Sequence, residues 1–215
     1  MSERRRRRGL LLALEGIDGA GKSTLARALA AQLRRRGRTV VLRREPTDSV
    51  LGRLAQGASV RDPWSGAVYF TLDRFLARPA LDRDLRRSDV VITDRSLYST
   101  LAYQGSALGT TAVQRLEELG PRATILPDRV VLLDLSPGDA LERLGRRSRV
   151  RGPLERRRTL GRVATRYRRL ARQGGWLVLD ARRPTPELVA AIVEMVPSGR
   201  TVPTGRRRVA RGQRT

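Results

Sequence analysis

Nine consecutive residues have the types and spacing of a loop that binds phosphate groups. They read Gly16-Ile17-Asp18-Gly19-Ala20-Gly21-Lys22-Ser23-Thr24 and match the pattern G-x-x-x-x-G-K-[ST]. In such a loop, backbone N–H groups and the lysine hold the phosphates of a nucleoside triphosphate. Lysine and arginine together number 45, yet Lys22 is the only lysine. A compact ammonium fits between the β- and γ-phosphates, whereas a planar guanidinium is too broad, so this loop predicts the binding of a nucleoside triphosphate.

Further polar residues follow the apolar runs that we interpret as strands. They are Asp18 in the glycine loop, the segment Arg44-Glu45-Pro46-Thr47, the segment Asp94-Arg95-Ser96, and Asp134. Ligands of open parallel sheets gather at the carboxyl ends of the strands, so these groups are candidates for one site. Asp134 has an equally good explanation as a helix cap or a structural hydrogen-bond acceptor.

The elements that would position these residues alternate along the chain, which predicts an α/β fold. Its five-stranded parallel sheet would be covered by helices on both faces. Apolar runs predict strands at 10–14, 39–42, 90–93, 130–133 and 176–179. Helical spacing of apolar residues predicts helices at 22–36, 49–57, 66–87, 111–119, 137–145, 155–173 and 185–195.

Composition limits the chemistry. The 215 residues include no cysteine and no histidine, which excludes a thiolate site, a histidine base and the commonest nitrogen ligand of metals. Any metal must therefore be held by oxygen atoms, and Mg²⁺ is the expected ion. The length predicts one main domain.

The net charge of +24 is concentrated in three segments. Residues 1–8 carry +4, residues 142–172 carry +11 and residues 197–215 carry +6. We therefore divide the chain into a basic N-terminal extension (1–9), a main domain (10–196) that contains the phosphate loop, and a basic tail (197–215) that is too polar to fold by itself. The apolar stretch after Arg8 is too short for a signal sequence, and no run reaches the length of a membrane span. We expect a cytoplasmic enzyme.

Four segments in order resemble the thymidylate kinase family. They are residues 15–24, residues 44–47, Phe70-Thr71-Leu72-Asp73-Arg74, and Asp94-Arg95-Ser96-Leu97-Tyr98-Ser99-Thr100-Leu101-Ala102-Tyr103-Gln104-Gly105. The resemblance covers about 10–195 and implies a phosphate-loop fold of the nucleoside monophosphate kinase type. It also implies phosphorylation of dTMP to dTDP with ATP and Mg²⁺. The family commonly forms homodimers, and the apolar character of residues 66–80 agrees with that.

The resemblance also assigns the acceptor site. It implies that Phe70 stacks on thymine and that Arg74 binds the carbonyl edge of the base. Thr100 and Gln104 would read the base as well, and Tyr103 would close against the deoxyribose. Phe70 taken alone would be read as a core aromatic, and its spacing of one helical turn from Arg74 favours the base.

The acceptor phosphate would be bound by Arg44 and Arg95, with Glu45 and Pro46 in the same substrate-binding segment. No general base is required, because a phosphate monoester dianion is already a nucleophile. Lys22 would contact the β- and γ-oxygens, Ser23 and Asp94 would hold the Mg²⁺, and Asp18 would orient the acceptor phosphate or its arginine.

A lid is expected at about 146–158, by the resemblance, with Arg147 and Arg149 as catalytic residues. Alternatively, most of the arginines in residues 142–172 form a solvated face. The chain departs from the family in having Ser96 where an aromatic follows the Asp-Arg pair, with Tyr98 as a possible replacement.

Two other functions remain open. The first is a nucleoside kinase, or a nucleoside monophosphate kinase with a different base preference. A nucleoside kinase would need a carboxylate to accept a hydroxyl proton, and Glu45 is available for that. A phosphate-loop protein that binds nucleic acid would explain the basic termini, which in any case predict non-specific contacts with polyanions.

Overall fold

The computed structural model describes residues 8–146 and 157–197. Its centre is a parallel five-stranded sheet with the strand order β2-β3-β1-β4-β5, which confirms the predicted fold class. The strands are β1 (Leu10–Glu15), β2 (Val40–Arg44), β3 (Val90–Asp94), β4 (Arg129–Asp134) and β5 (Leu177–Asp180). All six residues of β1 are buried, as a central strand covered on both faces requires.

Helices connect and cover these strands. They are α1 (Lys22–Arg35), α2 (Val50–Arg61), α3 (Pro63–Arg87), α4 (Leu97–Tyr103), α5 (Gly105–Ala123), α6 (Pro137–Gly145), α7 (Arg157–Gly174) and α8 (Thr185–Val193). The sequence did not predict α4, and it placed only the later part of α5, which follows a kink at Gly109. In the described parts of the chain, no helix has the length and apolarity needed to cross a membrane.

Alternate residues of β1 face the two helical layers. Leu10, Leu12 and Leu14 belong to the main core, together with the apolar face of α1. Leu11 points to the other side and packs with Leu85 in a second, smaller cluster. The alternation is the period of a β-strand, so β1 is anchored on both faces.

The register of the strands brings the candidate site together. Leu14 of β1 and Arg44 of β2 both lie opposite Asp94 of β3. The phosphate loop, the segment after β2 and the Asp94-Arg95-Ser96 segment therefore emerge at the same edge of the sheet, as predicted.

The basic segments are described in part. Arg8 makes a two-pronged ion pair with Asp128, at 2.9 and 2.7 Å, and Asp128 also accepts a hydrogen bond from the backbone of Leu11. Residues 1–7, 147–156 and 198–215, with most of the expected lid and tail, lie outside the described residues.

Candidate active site

The phosphate loop joins β1 to α1 and depends on glycine at two crowded positions. Gly16 and Gly19 have φ angles of 144° and 86°, which side chains rarely adopt. A Cβ atom at Gly16 would lie 2.6 Å from the carbonyl oxygen of Leu133, and one at Gly19 would lie 2.7 Å from that of Ala140. The loop is therefore packed closely against β4 and α6, which fixes the direction of its backbone.

Lys22 is buried inside this loop. Its Nζ atom donates hydrogen bonds to the carbonyl oxygens of Gly16 (2.8 Å) and Ile17 (3.0 Å). Burial, reinforced by the charge of Arg95, lowers the pKa of the Lys22 ammonium to about 8. The lysine is thus held in the cradle where the sequence pattern predicts phosphate.

Ser23 and Asp94 form the oxygen-rich part of the loop. The Ser23 hydroxyl donates a short hydrogen bond to Asp94 Oδ2. Within the described ranges, no group of three or more acidic, histidine or cysteine side chains forms a complete metal cluster. Two protein oxygens beside a phosphate loop suit Mg²⁺, which takes few protein ligands and completes its shell with phosphate and water.

Asp18, Arg95 and Tyr103 form a second polar cluster next to Lys22. Arg95 forms an ion pair with Asp18, and its guanidinium lies 5.1 Å from the centre of the Tyr103 ring. The Tyr103 hydroxyl donates to Asp18 Oδ2 and accepts from the Asp18 backbone N–H, both at 3.0 Å. Burial opposes ionisation of Asp18, but Arg95 and Lys22 outweigh it and keep the pKa of this carboxyl below its usual value.

Arg74 of α3 is the centre of a third polar cluster. Its Nε donates to Glu45 Oε2 at 2.6 Å, and its Nη2 donates to Thr100 Oγ1 at 2.8 Å and to the Ser96 carbonyl at 3.1 Å. Burial raises the pKa of Glu45, against the opposing charge of Arg74. The remaining nitrogen, Nη1, is buried with no hydrogen-bond partner among the described residues.

Gln104 presents a second unpaired polar atom. Its side chain is buried, and its Oε1 has no hydrogen-bond partner among residues 8–146 and 157–197. Buried polar groups are nearly always paired, so the donor on Arg74 and the acceptor on Gln104 are candidates for contacts with a bound ligand. Gln104 follows α4, which also carries Thr100, so both side chains lie around the same helix.

The remaining acceptor-site candidates lie around these clusters. Phe70 lies on α3 with its ring centre 5.8 Å from the Arg74 guanidinium carbon. Arg44 ends β2 with an exposed side chain, and Pro46 follows Glu45. A cleft lined by Arg44, Glu45, Arg74 and Ser96 extends to Leu81, Thr124 and Ile125. The other acceptor-site candidates lie outside its lining, namely Pro46, Phe70, Arg95, Thr100, Tyr103 and Gln104. Arg147 and Arg149 are outside the described residues.

Asp73 has a role that the sequence did not reveal. Its carboxylate accepts hydrogen bonds from the backbone N–H and hydroxyl of Thr47, at 2.8 and 2.5 Å, and from the Ser49 hydroxyl at 2.8 Å. It therefore fastens the segment after β2 to α3. In the sequence, this role was indicated only by the position of Asp73 next to Arg74 in the segment 70–74.

Glu15 and Tyr167 were also missed. Glu15 ends β1 and is completely buried, and it accepts a hydrogen bond from the Tyr167 hydroxyl at 2.8 Å. In the sequence, Glu15 could have been recognised as an acidic residue at the end of an apolar strand. Tyr167 could have been recognised because it continues the helical spacing of the apolar residues Leu160, Val163 and Leu170 on α7.

Two open sequence interpretations can be decided from these contacts. Asp134 is a structural acceptor, because it binds Arg168 Nε through both oxygens, at 3.0 and 2.9 Å, while Ser136 caps α6. Arg168 is consequently not a free member of a solvated face. Tyr98 packs edge-on against the ring of Trp176, with ring centres 4.7 Å apart, whereas Ser96 is buried at the start of α4. The Tyr98 ring therefore does not take the place of an aromatic side chain at position 96.

Comparison with known proteins places these features in a family. The family model described as "Thymidylate kinase" matches residues 14–192. A probable thymidylate kinase of Metallosphaera sedula is 33% identical over 86% of this chain and 91% of its own length. A thymidylate kinase of Leifsonia xyli subsp. xyli is 38% identical over 89% of this chain and 96% of its own, and one of Bifidobacterium longum subsp. infantis is 40% identical over 63% of each. The chain therefore belongs to the thymidylate kinase family.

Proposed function

We propose that this protein transfers the γ-phosphoryl group of ATP to dTMP, forming dTDP and ADP. The observation that carries the choice of thymine is the pair of unpaired buried atoms, the donor Arg74 Nη1 and the acceptor Gln104 Oε1. Thymine offers a carbonyl oxygen and an N–H group side by side, which matches one donor and one acceptor. Cytosine would present an amino group to the arginine and leave buried donors unpaired, at a cost of about 1–3 kcal/mol.

The acceptor phosphate would be bound by Arg95. Its guanidinium is fixed near Lys22 and Asp18, at the edge of the phosphate loop, and arginine binds phosphate oxygens with two parallel hydrogen bonds. Arg44, exposed at the end of β2, is available as a second cation. Asp18 would hold Arg95 until the phosphate enters.

The sugar and base would lie between α3 and α4. Phe70 supplies an aromatic face for stacking, and Thr100, already bound to Arg74, lies beside the expected edge of the base. Tyr103 is held by both polar groups of Asp18, so its ring is fixed against the site of the deoxyribose. Burial raises the pKa of Tyr103 above its usual value, so the phenol stays neutral.

Mg²⁺ is the proposed metal, with Ser23 and Asp94 as the residues that would hold it. When bound, it would neutralise charge on the β- and γ-phosphates. The protein itself has to align two anions that repel each other, and Lys22 and Arg95 supply fixed positive charge on the two sides of the reaction. Arg147 and Arg149 of the expected lid remain proposed catalytic residues.

A homodimer is the proposed assembly. Trp64, Val68, Leu72 and Leu76 follow one another at four-residue intervals on α3, and each side chain is 44–67% exposed. Phe75 adds to the same stripe at 57% exposure. Such a continuous apolar stripe is unusual on the surface of a monomer, and a second copy of the chain would cover it.

Non-specific contact with nucleic acid is the proposed role of the basic tail. Residues 197–215 carry six arginines and no acidic residue, a composition that binds polyanions through counterion release. Removing residues 198–215 should leave dTMP kinase activity within about twofold and weaken binding to DNA at low salt. A truncated protein without kinase activity would contradict this separation of roles. The cytoplasmic location stays a prediction.

The test of the proposed function is ADP release measured with each deoxynucleoside monophosphate and with thymidine. We expect dTMP to exceed dCMP and dGMP, and to exceed its ribose analogue because Tyr103 crowds the 2′ position. Equal rates with thymidine and dTMP would favour a nucleoside kinase, with Glu45 as its base. Absence of ADP release with every acceptor would refute a kinase function.

A further inference from the structure

The buried carboxylate of Glu15 lies at the centre of three hydroxyl groups. It accepts hydrogen bonds from Ser96 at 2.6 Å, from Ser99 at 2.7 Å and from Tyr167 at 2.8 Å. Among the described residues, no lysine or arginine forms an ion pair with it. The hydroxyls therefore provide the hydrogen bonds that a buried carboxylate requires.

One of these hydroxyls also touches the proposed phosphate-binding arginine. Ser99 Oγ accepts a hydrogen bond from Arg95 Nη1 at 3.2 Å. A serine hydroxyl has a single proton, and two neighbours of Ser99 can accept it, Glu15 Oε2 at 2.7 Å and the Tyr167 hydroxyl at 2.9 Å. Tyr167 donates its own proton to Glu15 Oε2, and the shorter contact directs the Ser99 proton to Glu15 as well. A guanidinium only donates, so Ser99 Oγ is the acceptor in its contact with Arg95, and the hydrogen bond to Glu15 keeps the serine proton turned away from Arg95.

Arg95 is held at both of its terminal nitrogens. Nη2 pairs with Asp18 and Nη1 with Ser99, so two different contacts fix the plane of the guanidinium. Its backbone has a φ of 78°, which is unusual for a residue with a side chain, and its N–H donates to the carbonyl of Leu14 at 3.0 Å. A strained backbone held by the sheet indicates that the direction of this side chain matters.

We infer that Ser99 is a positioning residue for Arg95, with its hydroxyl oriented by Glu15. This inference rests on the proposed function, in which Arg95 binds the phosphate of dTMP. When the phosphate enters, it competes with Asp18 for Arg95. The contact with Ser99 does not involve the phosphate site, so it keeps the guanidinium plane in place.

Ser96 provides a matched control. Its hydroxyl donates to the same carboxylate as that of Ser99, and both serines are buried near the start of α4. Ser96 makes no side-chain contact with Arg95 in the described structure. If the hydroxyls serve only to solvate Glu15, Ser96→Ala and Ser99→Ala should behave alike.

The experiment is calorimetric titration of dTMP and of thymidine into wild type, Ser96→Ala, Ser99→Ala, Arg95→Ala and the Arg95→Ala/Ser99→Ala double variant. Thermal unfolding of each variant checks the fold. Ser99→Ala should weaken dTMP binding about three- to tenfold, the net value of one ordinary hydrogen bond, and leave thymidine binding unchanged. Ser96→Ala also removes the cap of α4, where Ser96 Oγ accepts from the Tyr98 backbone N–H, so it should change dTMP and thymidine binding by the same factor and leave the preference for dTMP intact. In the Arg95→Ala background, Ser99→Ala should have no further effect.

The inference is overturned by equal losses for dTMP and thymidine, by equal behaviour of the two serine variants, or by a full additional effect of Ser99→Ala without Arg95. A wild-type protein that binds dTMP no better than thymidine would refute the proposed function instead, and the inference would fall with it. Normal dTMP binding by Ser99→Ala, with wild-type preference intact, would refute the inference alone.

Discussion

Replacing Lys22 by arginine keeps the charge and changes the shape of the group that would contact the β- and γ-phosphates. Lys22 is 6% exposed, and its Nζ already reaches two loop carbonyls at 2.8 and 3.0 Å. A guanidinium is broader than the ammonium that occupies this space, so arginine would have to displace the loop backbone. Loss of one such transition-state contact costs about 3 kcal/mol, or roughly a hundredfold in rate. We expect at least this loss in kcat for Lys22→Arg, and a similar loss for Lys22→Ala.

The assay is ADP release at saturating dTMP and ATP, with kcat and KM determined for both substrates. Arg35→Lys is the matched control, since it exchanges the same two residue types at an exposed position of the same helix, where the arginine binds only Gln32 among the described residues. This control should retain wild-type activity. Turnover of Lys22→Arg within about threefold of wild type would refute the argument that the shape of the lysine is required.

Three further outcomes are expected. ATP affinity, measured by titration, should fall by up to about tenfold per pH unit above pH 8, because burial lowers the pKa of Lys22 to about 8 and the lysine must be protonated to bind phosphate. Lys22→Ala should show no such fall. Arg74→Ala should lower kcat/KM for dTMP more than for dCMP, and an equal loss for both acceptors would contradict recognition of the base by Arg74. The same variant should lower the free energy of unfolding in urea by about 3 kcal/mol, because Glu45 loses its buried partner. Leu72→Glu should yield monomers in sedimentation experiments, whereas Val178→Glu, at an exposed position of β5, should not; unchanged assembly of Leu72→Glu would exclude this stripe as the interface.

The sequence predicted those features that depend on local patterns. The phosphate loop was predictable because its glycines, Lys22 and Ser23 are consecutive, and the strands because buried parallel strands are short apolar runs. The helix α4 was missed because it is only seven residues long and carries several polar side chains among its apolar ones. Short segments of this kind give no clear periodicity.

The contact of Asp18 with Arg95 was among the expectations, but the group of Glu15, Ser99 and Tyr167 beside Arg95 was not predictable, because it joins distant parts of the chain. Glu15 and Tyr167 are 152 positions apart, and Ser99 lies between them in sequence. Only the strand order and the packing of α7 bring these three residues together. The same is true of Asp134 and Arg168. Arg168 lies on the arginine-rich helix α7, whose sequence is typical of a solvated basic face, so its pairing with Asp134 could not be predicted.

The most direct test of the proposed function is to follow the labelled phosphoryl group of [γ-³²P]ATP in the presence of dTMP, Mg²⁺ and the purified protein, with products separated by chromatography. We predict that the label appears in dTDP as ADP forms, and that thymidine in place of dTMP gives no labelled dTMP. Label transferred to thymidine, or ATP consumed with label released only as inorganic phosphate, would contradict a dTMP kinase.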